Sequence, residues 1–261
     1  MSESFFVPGG NDVYLPTDHT IGPWDAGAQH GGPPAALLGR AIERAEGGAG
    51  KRLARVTFDL LRPVPLAPIT VACEVMRPGR RVDLVRASLS AGDDVVMSAS
   101  AWRIRTTELQ LAEPPAESFS GPEDARPVEL FENPATHTED FYLAAMDIRF
   151  ADGAFLEPGP ATAWFRARHP LVAGEGNSPL TAVLIAVDSA SGISAELDPK
   201  QWLFINPDIS VYLARYPTDE WVCVDAKSHI EPSGIGFAGA TIRDRRGSIG
   251  RSSQSLLVDR R

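Results

Sequence analysis

Two stretches of the chain carry one hydrophobic pattern. Residues 57–65 read TFDLLRPVP and residues 208–217 read DISVYLARYP, apolar and polar positions alternating ahead of a proline, the period of a half-buried strand. Each is followed by a β-like run, a Pro/Gly break, a second β-like run, a charged turn and a third run rich in small residues. In the first copy these are ITVACEVM, RPGRR, VDLVRASLS, AGDD and VVMSASAWRI; in the second they are EWVCVDAKS, HIEPSGIG, FAGATIR, DRRGS and IGRSSQSLLV. A helix-like segment precedes each copy, at 33–46 and at 179–191. In the first, Leu37, Leu38, Ala41, Ile42 and Ala45 recur at helical spacing, with Arg40, Glu43, Arg44 and Glu46 on the opposite side. Pro33 and Pro34 suit a first turn, where a missing N–H is not needed, and Gly47-Gly48 ends the helix. In the second, Leu180 and residues 182–187 leave almost no polar face, which predicts a helix buried on all sides, with Ser178 as its N-cap.

A helix followed by a long antiparallel meander, used twice, predicts an α+β fold: a double hotdog, two tandem helix-plus-antiparallel-sheet repeats forming a pseudo-dimer. Residues 1–106 make the N-terminal hotdog, with a short strand at 13–15. Residues 107–138, acidic and proline-rich, make the connector. Residues 139–261 make the C-terminal hotdog, with strands also at 146–151 and 161–168. Sites in duplicated folds tend to lie where the copies meet.

Composition narrows the function. A net charge of -9 argues against nucleic acid or an anionic membrane as the main partner, since both need a basic face. The two cysteines, Cys73 and Cys223, occupy corresponding β-runs and read as buried core residues, not as a disulfide framework. The N-terminus lacks a basic, apolar leader, and no stretch approaches ~18 uninterrupted apolar residues, so a cytoplasmic protein is the expectation. His19, His30, His137, His169 and His229 show no metal-ligand spacing, so no metal site is expected. The GxGxxG match at Gly234, Gly236 and Gly239 lies in a strand-like meander and opens no helix, which excludes a dinucleotide-binding reading.

Four places can carry chemistry. Asp188 interrupts the apolar helix near its C-terminal end, where the helix dipole and burial both disfavour a carboxylate. It is either a functional group or a solvated residue at a fraying end. His30-Gly31-Gly32 stands at the mouth of the first helix, where glycines permit close backbone approach and free N–H groups can meet an oxyanion; it is otherwise an ordinary glycine-rich helix start. Gln254, among serines in the last strand, either orients a water or is half-exposed. Asn206, ahead of the second repeated stretch, either bonds a water or shapes the strand start. Arg62 and Arg215 read as strand-end turns. Arg77, Arg80 and Arg81, and Arg243, Arg245 and Arg246, read as solvated turns with phosphate contact as the alternative.

The runs HGGPPAALLGRAIE, LLRPVPLAP…RPGRRVDLVRASL and GRSSQSLLV resemble the thioesterase-like double-hotdog proteins, relatives of the TesB-like type II acyl-CoA thioesterases, over about residues 22–258. The resemblance implies hydrolysis of a fatty acyl-CoA thioester to free acid and CoA, with no cofactor beyond the coenzyme A of the substrate. It implies a catalytic group of Asp188, Gln254 and, where the family has Thr, Asn206, which together hold a nucleophilic water. Gly31 and Gly32 match the family's first-helix glycine pair, with His30 beside them in a substrate-binding role. The acyl chain is expected in an apolar tunnel beside residues such as Leu184, and a homo-oligomer is expected. The alternatives are a non-catalytic acyl-CoA-binding protein and an enoyl-CoA hydratase-like hotdog enzyme. The latter ranks lower because it needs a paired Asp and His, and His30 has no Asp at that spacing.

Overall fold

The computed structural model describes residues 4–112, 118–129, 141–155, 157–198 and 200–261. A hairpin of β1 (Phe6–Gly10) and β2 (Val13–Pro16) leads to α1 (Gly32–Arg44), then β3 (Lys51–Leu60), β4 (Ile69–Arg77), β5 (Val82–Ala91) and β6 (Asp94–Arg105). After the connector come β7 (Arg126–Pro127), β8 (Met146–Asp152) and β9 (Ala161–Ala167), the helices α2 (Pro179–Val187) and α3 (Ala190–Ile193), and β10 (Trp202–Ile205). The chain finishes with β11 (Asp208–Leu213), β12 (Val222–Ile230), β13 (Ile235–Asp244) and β14 (Gly247–Arg260). These strands make one sheet in the order β1-β2-β4-β5-β6-β3-β11-β14-β13-β12-β9-β8-β7, with β10 beside β14. Few helices against a mostly antiparallel sheet fit the expected double hotdog.

The two stretches with the repeated pattern are the strands that join the halves. Phe58 pairs with Ile209, Thr57 with Ser210 and Val56 with Val211. Val56, Phe58, Ile209 and Val211 are fully buried, while Thr57 and Ser210 share a hydrogen bond of 3.0 Å between their hydroxyls. Side chains alternate across a strand, so a one-residue slip would put the hydroxyls into the core and the apolar set into water. Outward from this junction the strands follow as β3-β6-β5-β4 on one side and β11-β14-β13-β12 on the other.

The helices meet at glycine. A Cβ on Gly39 of α1 would fall 2.1 Å from Leu184 Cδ1 of α2, so the leucine occupies the space that only glycine leaves. Leu184 is therefore a contact between the two helices. Ser178 caps α2 as expected, its Oγ accepting from Thr181 N–H at 3.2 Å, and donates to Glu43 of α1 at 2.6 Å.

Four features depart from the sequence reading. β1 and β10 were not foreseen, because Pro8, Gly9 and Gly10 in one and a four-residue apolar run in the other give no alternation to read. The helix expected over 179–191 breaks: Ser189 N–H donates to Ala186 O, and the Ile185 and Asp188 carbonyls are taken by the side chains of Tyr142 and Gln254. Cys223 is buried, and burial pushes its thiol up to about 12. Cys73 is exposed, contrary to expectation: along its face of β4 burial ends at Val71. Finally, residues 118–129 of the connector pack on the second half, where Trp164 donates to Ser120 O at 2.9 Å and β7 pairs with β8. Residues 113–117 and 130–138 of the connector, His137 among them, lie outside the described residues.

Arg62 and Arg215 stand at strand ends as expected, whereas Arg77 and Arg243 lie within β4 and β13 and not in turns. Arg62 pairs with Asp94 at 3.3 Å and Arg215 grips Asp244 at 2.5 and 2.6 Å. Arg243 is held by Asp225, and Arg245 by Glu123 and Asp219. At Arg243 and Arg245 the positive charge is met by these carboxylates.

A buried ion cluster fixes the end of α1. Asp83, 1% exposed, accepts from Lys51 Nζ at 2.6 and 2.7 Å, from Arg103 at 2.9 Å and from Gly79 N–H at 3.0 Å. Arg103 in turn donates to the carbonyls of Ile42, Ala45 and Glu46, which the helix end leaves without partners. Burial pushes the Asp83 carboxyl up, but the Lys51 and Gly79 hydrogen bonds and the two cations outweigh it and hold it below its ordinary value. On the surface, Arg40 and Arg44 hold Glu175 down to about 2 from its ordinary 4.5.

Removing Asp83 strands two buried cations. Asp83→Ala is expected to cost about 3–5 kcal/mol in urea unfolding, and a loss under about 1 kcal/mol would show the cluster to be dispensable. A carboxyl with a depressed folded value adds stability above its unfolded value and loses it as pH falls through the folded one. Stability measured between pH 4.5 and 2 should therefore fall as Glu175 is protonated, and less so in Glu175→Gln.

Candidate active site

The break after Val187 presents Asp188 where α2 ends and α1 begins. The carboxylate is 8% exposed, so it does not project into solvent. Its Oδ1 accepts from Asn206 Nδ2 at 2.9 Å and from Gln254 Nε2 at 3.1 Å. Its Oδ2 faces the first turn of α1, 3.2 Å from His30 Nδ1. The six residues singled out in the sequence thus gather around one carboxylate, contributed by α1, α2, the link between β10 and β11, and β14.

Each element places its side chain for a local reason. Gln254 lies on the inward face of β14, opposite Ala238, and is fully buried. Its Oε1 accepts from Ser191 N–H at 3.2 Å, and its amide also donates to Asp188 O at 3.3 Å. Both ends of this amide are therefore committed to the helix break. Asn206 occupies the two-residue link before β11, is half-buried, and spends one N–H on Asp188; Pro207 O beside it accepts from Leu60 N–H at 2.8 Å. The site approaches solvent at Asn206.

Gly31 and Gly32 are needed for space. A Cβ on Gly31 would sit 2.8 Å from Asp188 Oδ2, and one on Gly32 would sit 2.2 Å from Ile185 O. The helix N-terminus thereby reaches the carboxylate and turns its partial positive charge toward it. His30 is anchored by its N–H on Thr20 O at 2.8 Å. Its Nδ1 accepts from Gly32 N–H at 3.1 Å, which assigns the ring hydrogen of the neutral form to Nε2. Burial lowers the His30 value more than the neighbouring Asp188 raises it, so the imidazole stays neutral at physiological pH.

Sequence reasoning passed over Tyr142. It is fully buried, its ring lies 3.7 Å from that of His30 at an interplanar angle of 6°, and its hydroxyl reaches Ile185 O at 2.8 Å and Ser189 Oγ at 3.2 Å. It sits next to the connector, where no periodic pattern marks a core position. His30 has no Asp close to it in sequence; the carboxylate beside its ring, Asp188 with Oδ2 3.2 Å from Nδ1, comes from the other half of the chain. Among the described residues, no three His, Cys, Asp or Glu side chains gather as metal ligands. No helix among them is long and apolar enough to cross a membrane.

The sequence model of the acyl-CoA thioesterase C-terminal domain matches residues 122–258, more than half of the chain, and that of the acyl-CoA thioesterase N-terminal domain matches residues 20–104. The chain belongs to the acyl-CoA thioesterase family. This thioesterase is similar in structure to a candidate thioesterase II from Thermobifida fusca YX, at 16% identity and a TM-score of 0.72, over 99% of this chain and 96% of the other. It is also similar to the acyl-CoA thioesterase II TesB2 from Mycobacterium marinum, at 14% identity and a TM-score of 0.69, over 98% and 95% of the two chains. A protein with a hot dog fold from Alicyclobacillus acidocaldarius matches at 13% identity and a TM-score of 0.70, over 97% and 95%. At these identities the likeness concerns the fold. No curated protein sequence matches the chain.

Gly31→Ala is expected to push Asp188 Oδ2 aside without disturbing the helix, since the Gly31 backbone suits alanine (φ -66°, ψ -21°). Thioesterase activity should fall by about 100-fold with the melting temperature nearly unchanged, because small misplacements at a reacting centre cost that much. Full activity in this variant would show that the Oδ2 position is not critical.

Proposed function

We propose that this thioesterase hydrolyses a fatty acyl-CoA to free acid and CoA by direct attack of water, with Asp188 as general base. The observation that carries the reading is the division of labour at the Asp188 carboxylate. Two amides, from Asn206 and Gln254, hold Oδ1, leaving Oδ2 to take a proton. The oxygen of a water hydrogen-bonded to Oδ2 attacks the thioester carbonyl carbon, and its proton passes to Oδ2. The tetrahedral intermediate then expels the CoA thiolate: the C–S bond breaks, and the proton leaves Oδ2 for the sulfur. No covalent acyl-enzyme is required.

Asn206 supplies a donor to Asp188 as a hydroxyl at that position would, and its own carbonyl oxygen remains to accept from the water. Gln254, with both ends of its amide engaged, orients the carboxylate more than the water. His30 Nε2–H is the ring's remaining donor for the thioester carbonyl, and Gly31 and Gly32 allow the backbone to come close. Preorganised donors in a water-poor site act strongly on a developing oxyanion. The matching strand orders on either side of β3 and β11 support reading the halves, 1–106 and 139–261, as a duplicated pseudo-dimer.

His30 Nδ1 lies 3.2 Å from Asp188 Oδ2, which brings together the two residue types that a hydratase needs, and thiol release separates the two chemistries. A hydratase adds water to enoyl-CoA and releases no thiol. Free-thiol release is to be measured over acyl-CoAs from short to long chain, for wild type and Asp188→Asn. We expect release by wild type and a fall of about 10²–10⁴-fold in the variant, the range that a general base contributes. Unchanged turnover in Asp188→Asn would remove Asp188 from the mechanism. No release by the folded wild-type protein would favour an acyl-CoA binder or a hydratase.

A further inference from the structure

We propose that Tyr142 is a positioning residue of the hydrolysis: its ring holds the His30 imidazole in plane, and its hydroxyl holds open the helix break that presents Asp188. The proposal rests on Asp188 acting as the base.

The geometry of the break is specific. In a continued helix Ile185 O would accept from Ser189 N–H, four residues on. Here Ser189 N–H turns back to Ala186 O at 3.0 Å, and the Ile185 carbonyl is released from the ladder. The Tyr142 hydroxyl takes that carbonyl at 2.8 Å and meets Ser189 Oγ at 3.2 Å. A buried carbonyl without a partner is costly, so the hydroxyl stabilises the chain in its turned form on both sides of Asp188. The same carbonyl is the atom that a Gly32 side chain would strike, so the start of α1, the end of α2 and Tyr142 converge on one oxygen.

Tyr142 is itself held by the segment that holds His30. Its N–H donates to Ile21 O at 3.0 Å, and His30 N–H donates to the neighbouring Thr20 O at 2.8 Å. The two rings lie parallel, 3.7 Å apart, both almost wholly buried. His30 is thus pressed between an aromatic face and the first turn of α1. The titratable groups that face it are Asp188, from the end of α2, and Tyr142 itself. Tyr142 stays protonated, because burial raises its value, the Ser189 hydrogen bond offsets this only in part, and the nearby Asp188 adds a smaller rise. It therefore acts through His30 and Asp188 and has no proton to exchange with substrate.

Two variants separate the ring from the hydroxyl. Tyr142→Phe keeps the stack and orphans Ile185 O; Tyr142→Leu removes both. In full-length protein, kcat and KM for acyl-CoA hydrolysis, the pH profile of kcat/KM and the His30 titration by NMR are to be measured. We expect Tyr142→Phe to lower kcat about tenfold with KM within about twofold, the signature of misplaced catalytic groups and not of lost binding. We expect Tyr142→Leu also to admit water to His30, so that its titration and the acid limb of the profile move up toward the ordinary histidine value. A structural role alone would lower the melting temperature and leave both readouts in place for the folded fraction. Unchanged kcat in Tyr142→Phe with an unchanged His30 titration in Tyr142→Leu overturns the proposal while Asp188→Asn remains inactive. Full turnover in Asp188→Asn overturns the underlying reading as well. The NMR titration decides the positioning of His30 without requiring turnover.

Discussion

The close approach of the first turn of α1 to the last turn of α2 is the contact on which the site depends. It brings the positive end of one helix to the end of another where a carboxylate stands. It is possible only because residues 31, 32 and 39 lack side chains: Asp188 Oδ2, Ile185 O and Leu184 Cδ1 occupy the volumes that Cβ atoms would take. The β3–β11 pairing holds the two halves in the register that makes this approach possible. The register follows from which residues of those strands are apolar.

Burying a carboxylate imposes a second condition. Taken from water, Asp188 needs donors in compensation, and they come from distant parts of the chain: Asn206 from a strand link and Gln254 from the last strand. Asp83 meets the same condition with cations, in Lys51 and Arg103. The contrast is chemical. A carboxylate clamped by two cations gives up its proton readily and takes one back poorly. Asp188 is held by two neutral amides on a single oxygen, and the proposed role as a base rests on that arrangement.

The fold was largely legible. The alternation in TFDLL and DISVYL, the apolar stripe on α1 and the all-apolar α2 marked the elements that make the core. β1 and β10 were not legible because they are short and lack alternation. The break at Asp188 was not either, because it is made by hydrogen bonds from Tyr142 and Gln254 that no local pattern encodes. Cys73 misled for a related reason: it alternates in step with buried Ile69 and Val71, and burial along β4 ends before it.

In the sequence by itself, local period carried the helix-and-meander pattern, and resemblance carried the family and the candidates Asp188, Asn206, Gln254, His30, Gly31 and Gly32. Tertiary structure decided what those residues are to one another. It brought His30 beside Asp188 across the two halves, put both amides on one carboxylate oxygen, and brought in Tyr142. The physical reason is that these contacts span from 18 residues, between Asp188 and Asn206, to more than a hundred, between His30 and Tyr142. Local propensity fixes the direction of a chain over a few residues; only the packing of whole helices on a sheet sets distances across so many.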